Sequence, residues 1–401
     1  MQKREEFVRL VLKRRHPITE LCVAFGISEK TGHKWLSRFR TEGVLGLADR
    51  SHAPQLAAHQ VSLRLRREIT LLREKHPSWG ARKLRAVLAR KAPDDRWPAA
   101  STIGEILLRE GLVRHRRRRR SPTSLSTLDS ELTVARGPND VWTTDFKGEF
   151  RLRHGSYCYP LTVLDHQSRY LLGCTALLST ATEPVKVVFT RLFEKYGLPE
   201  VIRSDNGIPF ASVSPLARLS TLSVWWIRLG IRPERIAPAS PQQNGQHERM
   251  HKTLKAEATK PASHSLIEQQ KRFNRFQREY NSLRPHEALG QKSPASLYKA
   301  SVRSFPPHLT ALEYPEHVEV RRVSNNGMVT FDGQKLWLTK VLSGEDVGFE
   351  ETDNDTWTVS FGPLALGTYH PPSNIFLPET CWKTDDQTSP KTTLGSPIIP
   401  V

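Results

Sequence analysis

The spacing of apolar residues changes character once along this chain, and that change limits the folds open to it. Up to about residue 113 apolar positions recur every three or four residues, the period of helices that bury one face. From about residue 141 they alternate or gather in short runs, the signature of strands, with helical stretches between them. One layer architecture cannot serve both halves, so the 401 residues read as several domains. With 37% hydrophobic residues there is apolar material for real cores, and a chain disordered throughout is excluded.

Charge divides near the same place. Residues 1–120 hold 29 Lys and Arg against 12 Asp and Glu, a net of +17, whereas the remaining 281 residues supply +2 of the total of +19. A block so polarised reads as a nucleic-acid-binding region joined to a nearly neutral body. Inside it, Ile18, Leu21, Cys22 and Phe25 keep helical spacing, Gly26 and Ile27 make a turn, and Ser28 can cap a second helix to about Arg40. That is helix-turn-helix order. The second helix is expected to bury Trp35, Leu36 and Phe39 and to offer Lys30, Thr31, His33 and Lys34 to a DNA groove. A second helical unit follows, with helices over 63–75 and about 81–90 and a last one capped by Ser101, its core marked by Trp97, Ile103, Leu107 and Leu108. The expected domains are 1–58, a helix-turn-helix; 59–113, a second such unit; and 114–132, a basic linker. In that linker Arg116, Arg117, Arg118, Arg119 and Arg120 can condense on phosphates.

Beyond a Ser/Thr-rich joint the pattern reads as strands over 141–150, 157–164 and 169–176, with a hairpin turn at Asp165-His166-Gln167-Ser168. A helix over 182–196, a strand over 200–204, a helix around 216–229, a strand over 231–236 and a helix carrying Glu248 follow. This order describes an α/β layer with a mixed sheet. Asp145 falls inside the first strand, Asp205 just after a buried one, and Glu248 in the first turns of its helix. A carboxylate within a buried strand is costly unless something pairs with it. Hard divalent cations are bound by such groups, and two of them about 4 Å apart can clamp both oxygens of a phosphoryl displacement. Asp205 can equally serve the Asn206-Gly207 turn, Glu248 a helix start, and Asp165 its hairpin.

At these residues the chain resembles a known family. Val141-Trp142-Thr143-Thr144-Asp145-Phe146, Ile202-Arg203-Ser204-Asp205-Asn206-Gly207 and Ser240-Pro241-Gln242-Gln243-Asn244-Gly245-Gln246-His247-Glu248-Arg249 look like the three catalytic signatures of the integrase-core, or DDE, transposases. Tyr280-Asn281, Arg284-Pro285-His286 and Leu289 resemble the tail of that core, the helical leader resembles that of bacterial insertion-sequence transposases, and the long spacing from Asp205 to Glu248 resembles a subgroup, the insertion sequence 481 type. The resemblance implies an RNase H-like catalytic core over 133–302, with Asp145, Asp205 and Glu248 as catalytic residues binding Mg2+ or Mn2+, two ions per site. It also implies double-stranded DNA as partner and a homo-oligomer of at least two copies on DNA. The 42 residues between Asp205 and Glu248 exceed the compact spacing of most such cores, and the excess, placed in Ala211 to Thr221, is expected to loop out. Lys252 and Lys255 fall on the face of Glu248 at helical spacing, suited to phosphates, or to an ion pair with it at the surface.

Past Pro306 short alternating strands over 318–323, 328–331, 335–338, 347–350 and 357–361, with turns at Asn326-Gly327 and Asp332-Gly333, suggest a small β-barrel over 315–372, which the family resemblance implies is SH3-like. It reads either as a contact for DNA or another protomer or as a stabilising cap. Residues 383–401 read as a disordered tail. Cys22, Cys158, Cys174 and Cys381 lie far apart, so neither a disulfide framework nor a zinc module is expected, and no run is apolar enough for a membrane span. The fold class expected is multidomain: N-terminal all-α tandem helix-turn-helix, central α/β RNase H-like integrase core, C-terminal β-barrel. The function expected is a bacterial, cytoplasmic DNA transposase that binds terminal inverted repeats and cleaves and joins strands. A catalytically silent DNA-binding regulator and a viral-type integrase are the alternatives.

Overall fold

A computed structural model describes residues 2–49, 61–113, 132–211, 216, 218–236, 245–353 and 355–379. The arginines at 116–120, the Ser/Thr-rich joint, the segment Ser240 to Asn244 and the tail at 383–401 lie outside the described residues. The chain divides into two compact units, Met1–Ser62 and Leu63–Val401.

The first unit packs α1 (Gln2–Leu12), α2 (Ile18–Ala24) and α3 (Glu29–Glu42) around Phe7, Val8, Leu21, Cys22, Leu36 and Leu47. Ser28 caps α3 as expected, its side chain accepting from the Thr31 amide at 3.3 Å. Close approach of the helices requires glycine at position 32. A Cβ there would stand 2.5 Å from Cys22 Sγ and 2.9 Å from Phe7 Cζ. Trp35 and Phe39 are only partly buried, packed against the core that Leu36 enters.

The second unit opens with α4 (Leu63–Lys75), α5 (Ala81–Lys91) and α6 (Ala100–Arg109), closed over Ile69, Trp79, Leu84, Val87, Leu88, Ile103, Ile106 and Leu107. Ser101 is not the cap of α6; the helix begins one residue earlier, after Ala99, without a side-chain cap. Leu108 is 48% exposed, since the helix turns it away from α4 and α5. Two basic residues of α5 reach the rest of this unit: Arg82 pairs with Glu287 at 2.6 Å and Arg90 donates to the Leu283 carbonyl at 3.0 Å. Ser78, just before α5, bonds Glu257.

The central sheet is built from β1 (Val141–Phe146), β2 (Phe150–Arg151), β3 (Tyr157–Asp165), β4 (Leu171–Leu177), β5 (Val201–Ser204) and β6 (Arg232–Arg235). Its order is β2-β3-β1-β5-β6, with β4 also on β3; β2, β3, β4 and β1 pair antiparallel, while β5 and β6 run parallel to β1. The helices α7 (Thr182–Tyr196) and α8 (Thr221–Arg228) cover one face through Phe189, Phe193, Trp225 and Trp226 against Trp142, Leu161 and Val163. The other face carries α9 (Gly245–Leu254) and α10 (Leu266–Arg278), whose Met250, Leu254, Phe273 and Phe276 meet Leu164, Leu171 and Cys174. Asp165 is fully buried and satisfied, accepting from the amides of Asn139 and Ser168, both at 2.8 Å, and so serves the turn rather than chemistry.

The C-terminal strands are β7 (Glu319–Arg322), β8 (Met328–Phe331), β9 (Gln334–Trp337), β10 (Asp346–Asp353), β11 (Thr356–Phe361), β12 (Leu364–His370) and β13 (Ile375–Pro378). They form an antiparallel sheet in the order β13-β12-β11-β10-β7 and a β8–β9 hairpin, packed on one core that includes Phe331, Phe349, Phe361 and Tyr369. Among the described residues no pairing closes these strands into a barrel, and β12 and β13 extend the sheet past the five strands the pattern suggests. The same core takes in Leu216, Leu219, Val224 and Ile227, and Arg228 pairs with Glu345 at 2.7 Å. Within the stretch expected to loop out, Leu216 and Leu219, each 2% exposed, are instead buried with the C-terminal strands. Among the described residues no helix is long and apolar enough to cross a membrane.

Candidate active site

β1 and β5 run parallel in the register Val141↔Val201, Trp142↔Ile202 and Thr143↔Arg203. Continued by two residues, this register sets Asp145 beside Asp205, at the carboxyl ends of two strands about 4.8 Å apart. Both residues therefore leave the sheet on one side, although sixty positions separate them. The turn after β5 holds its shape through Asn206, which donates to the Ile236 carbonyl at 2.9 Å, and through the Gly207 amide, which donates to Asp205 at 3.2 Å. The alternative reading of Asp205 as a turn former is thus also satisfied.

Glu248 rides on α9, exposed at the flank, while His247, Met250, His251 and Leu254 bury the opposite face against the sheet. Asp145 feels the other two carboxylates. Burial first, then Asp205 and then Glu248 push the Asp145 carboxyl up to about 7, against a backbone hydrogen bond from Phe146 that pulls it down. A carboxyl so raised is one whose charge is out of water and among like charges. Among the described residues no three His, Cys, Asp or Glu side chains are drawn together closely enough to hold an ion. The donor set is nonetheless the kind a hard divalent cation takes, all carboxylate oxygen, and Asp145 is raised by burial first and by neighbouring carboxylates second.

Lys252 and Lys255 are exposed on the same stretch as Glu248, but Lys255 lies one residue past α9, where the backbone widens into a π-type turn over Lys255–Thr259. The regular helical wheel that places all three on one face stops at Leu254. Lys255 still lies near β1, because the Lys147 ammonium is lowered by burial and then by Lys255, with Lys260 a smaller cause. The sequence reading missed Lys147; its place two residues after Asp145 was the available signal. Of the expected DNA-binding residues in the first unit, Lys30, His33 and Lys34 are exposed on α3. Thr31 is half-buried with its hydroxyl 2.9 Å from Ser28, so it completes the cap.

Also missed was a polar cluster beneath Asp145. His247-Glu248-Arg249-Met250-His251 has the H-E-x-x-H spacing that places two imidazoles on one helix face and can bind zinc. Here both Nε2 atoms converge instead on the Thr162 hydroxyl of β3, at 2.7 and 2.8 Å. Both rings stay neutral: His247 is lowered well below the ordinary histidine range, and His251 to about 3, by burial above all. The approach of His251 Nδ1 to Asp145 Oδ2, at 3.7 Å, is for that reason a polar contact and not an ion pair.

Residues 135–241 and 229–294 match the integrase core domain, 31–107 a homeodomain-like domain and 3–55 a helix-turn-helix domain. The chain is 26% identical over 266 residues, 66% of its length and 72% of the other's, to an insertion element IS476 protein of 39.2 kDa from Xanthomonas euvesicatoria. It is 31% identical over 133 residues, 33% of its length, to a Pol polyprotein of feline endogenous virus ECE1. The chain spans 12% of that polyprotein and 7% of the Gag-Pol polyprotein of baboon endogenous virus. The HTLV-2 integrase catalytic core domain in complex with magnesium aligns at a TM-score of 0.33 and 15% identity, over 41% of this chain and all of that one.

Proposed function

We propose that this chain, a member of the integrase-core superfamily akin to bacterial insertion-element proteins, is a DNA transposase that cleaves the ends of a mobile element and joins them to a target. The reading is supported by one observation: the Asp145 carboxyl on β1 is raised to about 7 by burial and then by the charges of Asp205 and Glu248. Asp145, Asp205 and Glu248 would hold Mg2+ or Mn2+, two ions per site. When bound, such ions activate the attacking oxygen and stabilise the leaving one in a phosphoryl displacement.

The rest falls to the chain's own side chains. Lys147, Lys252 and Lys255 hold phosphates beside the scissile bond. Lys30, His33 and Lys34 on α3, with the arginines at 116–120, bind the element's terminal inverted repeats. No covalent protein nucleophile is needed, because positioning and charge stabilisation suffice for both steps. The division of labour follows the limits 1–58 and 59–113 for end recognition, 114–132 for a basic link, 133–302 for chemistry and 315–372 for the cap. Joining two ends in one event calls for at least two copies of the chain on DNA, acting in a bacterial cytoplasm.

The test is a Mg2+-dependent cleavage and joining assay on the inverted repeats flanking the gene. Asp145→Asn, Asp205→Asn and Glu248→Gln should each cut the rate by about a thousandfold or more while leaving end binding intact, the several kcal/mol that a metal clamp supplies. A wild-type chain that binds ends but never cleaves them would instead favour the silent regulator.

A further inference from the structure

The helices α4 to α6 are fastened to the core at a seam where three cations have no carboxylate to bond. On one side, Ser78 and Arg284 Nη1 both donate to Glu257 Oε1, the second at 2.6 Å, and Arg82 pairs with Glu287 at 2.6 Å, which sets the first turn of α5 against the tail of the core. On the other, the turn between β3 and β4 meets the start of α9, with Gln246 Nε2 2.9 Å from His166 Nε2. β4 is tied to the same tail, for Asn281 accepts from the Leu171 amide at 2.8 Å, and the Tyr280 ring stands edge-on to His286 at 4.8 Å. These contacts bring Lys83 of α5, Arg169 of the turn and Arg249 of α9 to one place beside Tyr280 and Arg284. Arg284 and Arg82 are taken by their carboxylates, whereas among the described residues the side chains of Lys83, Arg169 and Arg249 make no ion pair or hydrogen bond. Burial first and then Arg284 lower Lys83 to about 8, with Arg249 a smaller cause, against the pull of Glu257 and Glu287. Burial also lowers Arg169, and Arg249 adds to it. Cations drawn partly out of water beside one another cost free energy unless an anion joins them.

We infer that Lys83, Arg169 and Arg249 form an anion site for a backbone phosphate of bound DNA, at the seam between the second helical unit and the core. The two guanidinium groups offer planar pairs of N–H donors to phosphate oxygens, and the lysine a point charge. The site is separate from the carboxylates. His251 approaches Asp145 at 3.7 Å, and Arg249, two positions earlier, lies about 200° round α9 from it, on the flank turned away from Asp145. A phosphate held here is gripped by both parts of the chain at once, so a strand bound by the helical unit is held against the core. The site reads no sequence, because a phosphate carries none. The inference rests on the DNA-binding part of the function proposed above and not on its chemistry.

The test is equilibrium binding of the full, metal-free chain to a labelled duplex carrying one element end and to an unrelated duplex, each followed through a salt titration. Lys83→Met, Arg169→Gln and Arg249→Gln should each weaken binding about 3- to 10-fold, by the same factor on both duplexes, and the triple variant should flatten the slope of log affinity against log salt by about 1, one phosphate's worth. Without DNA the variants should unfold at the same denaturant concentration as wild type or a higher one, since each removes a cation with no carboxylate bond; a merely structural role would lower it. Arg249 is exposed, so Arg249→Gln keeps the test open if a more buried change disturbs the fold. Affinity and salt slope unchanged in folded Lys83→Met and Arg249→Gln would overturn the site and leave the proposed function standing. A loss confined to the element end would overturn it too, making these residues base readers. So would inorganic phosphate that stabilises wild type and not the triple variant at fixed ionic strength while both bind DNA equally, which assigns the site to a free anion. A wild-type chain that never cleaves the ends it binds, with the variants weakened as stated, would sink the transposase and uphold the site.

Discussion

The two faces of the central sheet are built from the same strands to opposite ends. Trp142, Leu161 and Val163 send apolar side chains toward α7 and α8, where Phe189, Phe193 and Trp226 pack ring on ring. Their immediate neighbours Thr143 and Thr162 point the other way, to buried histidines beneath a carboxyl raised to about 7. Alternation along a strand makes this possible, since one residue's step changes the face. The apolar face stores stability. The other face gives some of it up to hold charge out of water.

The sharpest way to break this comparison is to damage the apolar face. Trp226 is fully buried, edge-on to Phe189 at 5.1 Å, and Trp226→Ala should cost about 3 to 5 kcal/mol in denaturant unfolding, with loss of activity following only from loss of fold. A cost below about 1 kcal/mol would show that this face is not where stability resides.

On the chemical face the sign should reverse. The folded-state pKa of Asp145 lies above its unfolded value, so its cost is absent below about pH 4 and fully present above about pH 7. Asp145→Asn should then stabilise the metal-free chain at pH 8 by about 2 to 4 kcal/mol and leave it nearly unchanged at pH 4, even as it abolishes cleavage. Destabilisation at pH 8 would mean that Asp145 is better satisfied than its surroundings imply.

The buried histidines sharpen the same contrast from the acid side. His166 is lowered to about 4 and His251 and His286 each to about 3, burial being the largest cause for all three. The unfolded chain binds protons at these positions from about pH 6.5 downward while the folded chain does not, so stability falls as pH drops toward 3. Each contributes a slope of up to about 1.4 kcal/mol per pH unit. In wild type, protonation of Asp145 offsets part of this between pH 7 and 4; in Asp145→Asn, chemical unfolding followed against pH should show a steeper fall.

The smallest effect on stability belongs to the exposed end of the site. Replacing Lys252 and Lys255 together with Glu should shift unfolding by no more than about 0.5 kcal/mol, since a solvated pair is worth little. Strand joining and crosslinking of the core to DNA should nevertheless drop severalfold. Unchanged joining in the folded double variant would show that this stretch does not meet DNA.

Local pattern carried much of this protein. The helix expected over 182–196 is α7 to the residue, because Ala181 and Gly197 bound a clear amphipathic run, and the strands bearing Asp145 and preceding Asp205 lie where their apolar residues place them. The helix-turn-helix of the first unit was legible for the same reason, down to the Ser28 cap. What periodicity reports is the relation of a residue to neighbours within a turn or a pleat. It is silent on which strand lies beside which, and so on the register that sets Asp145 by Asp205. Leu216 and Leu219 sat in a Ser-rich stretch that seemed free to loop out, and only the C-terminal strands, more than a hundred residues away, gave them a core to enter. Thr162, His247 and His251 looked like ordinary polar residues until β3 and α9 met across the sheet, because a hydrogen bond between residues some 85 positions apart is decided by tertiary packing and leaves no trace in either local run.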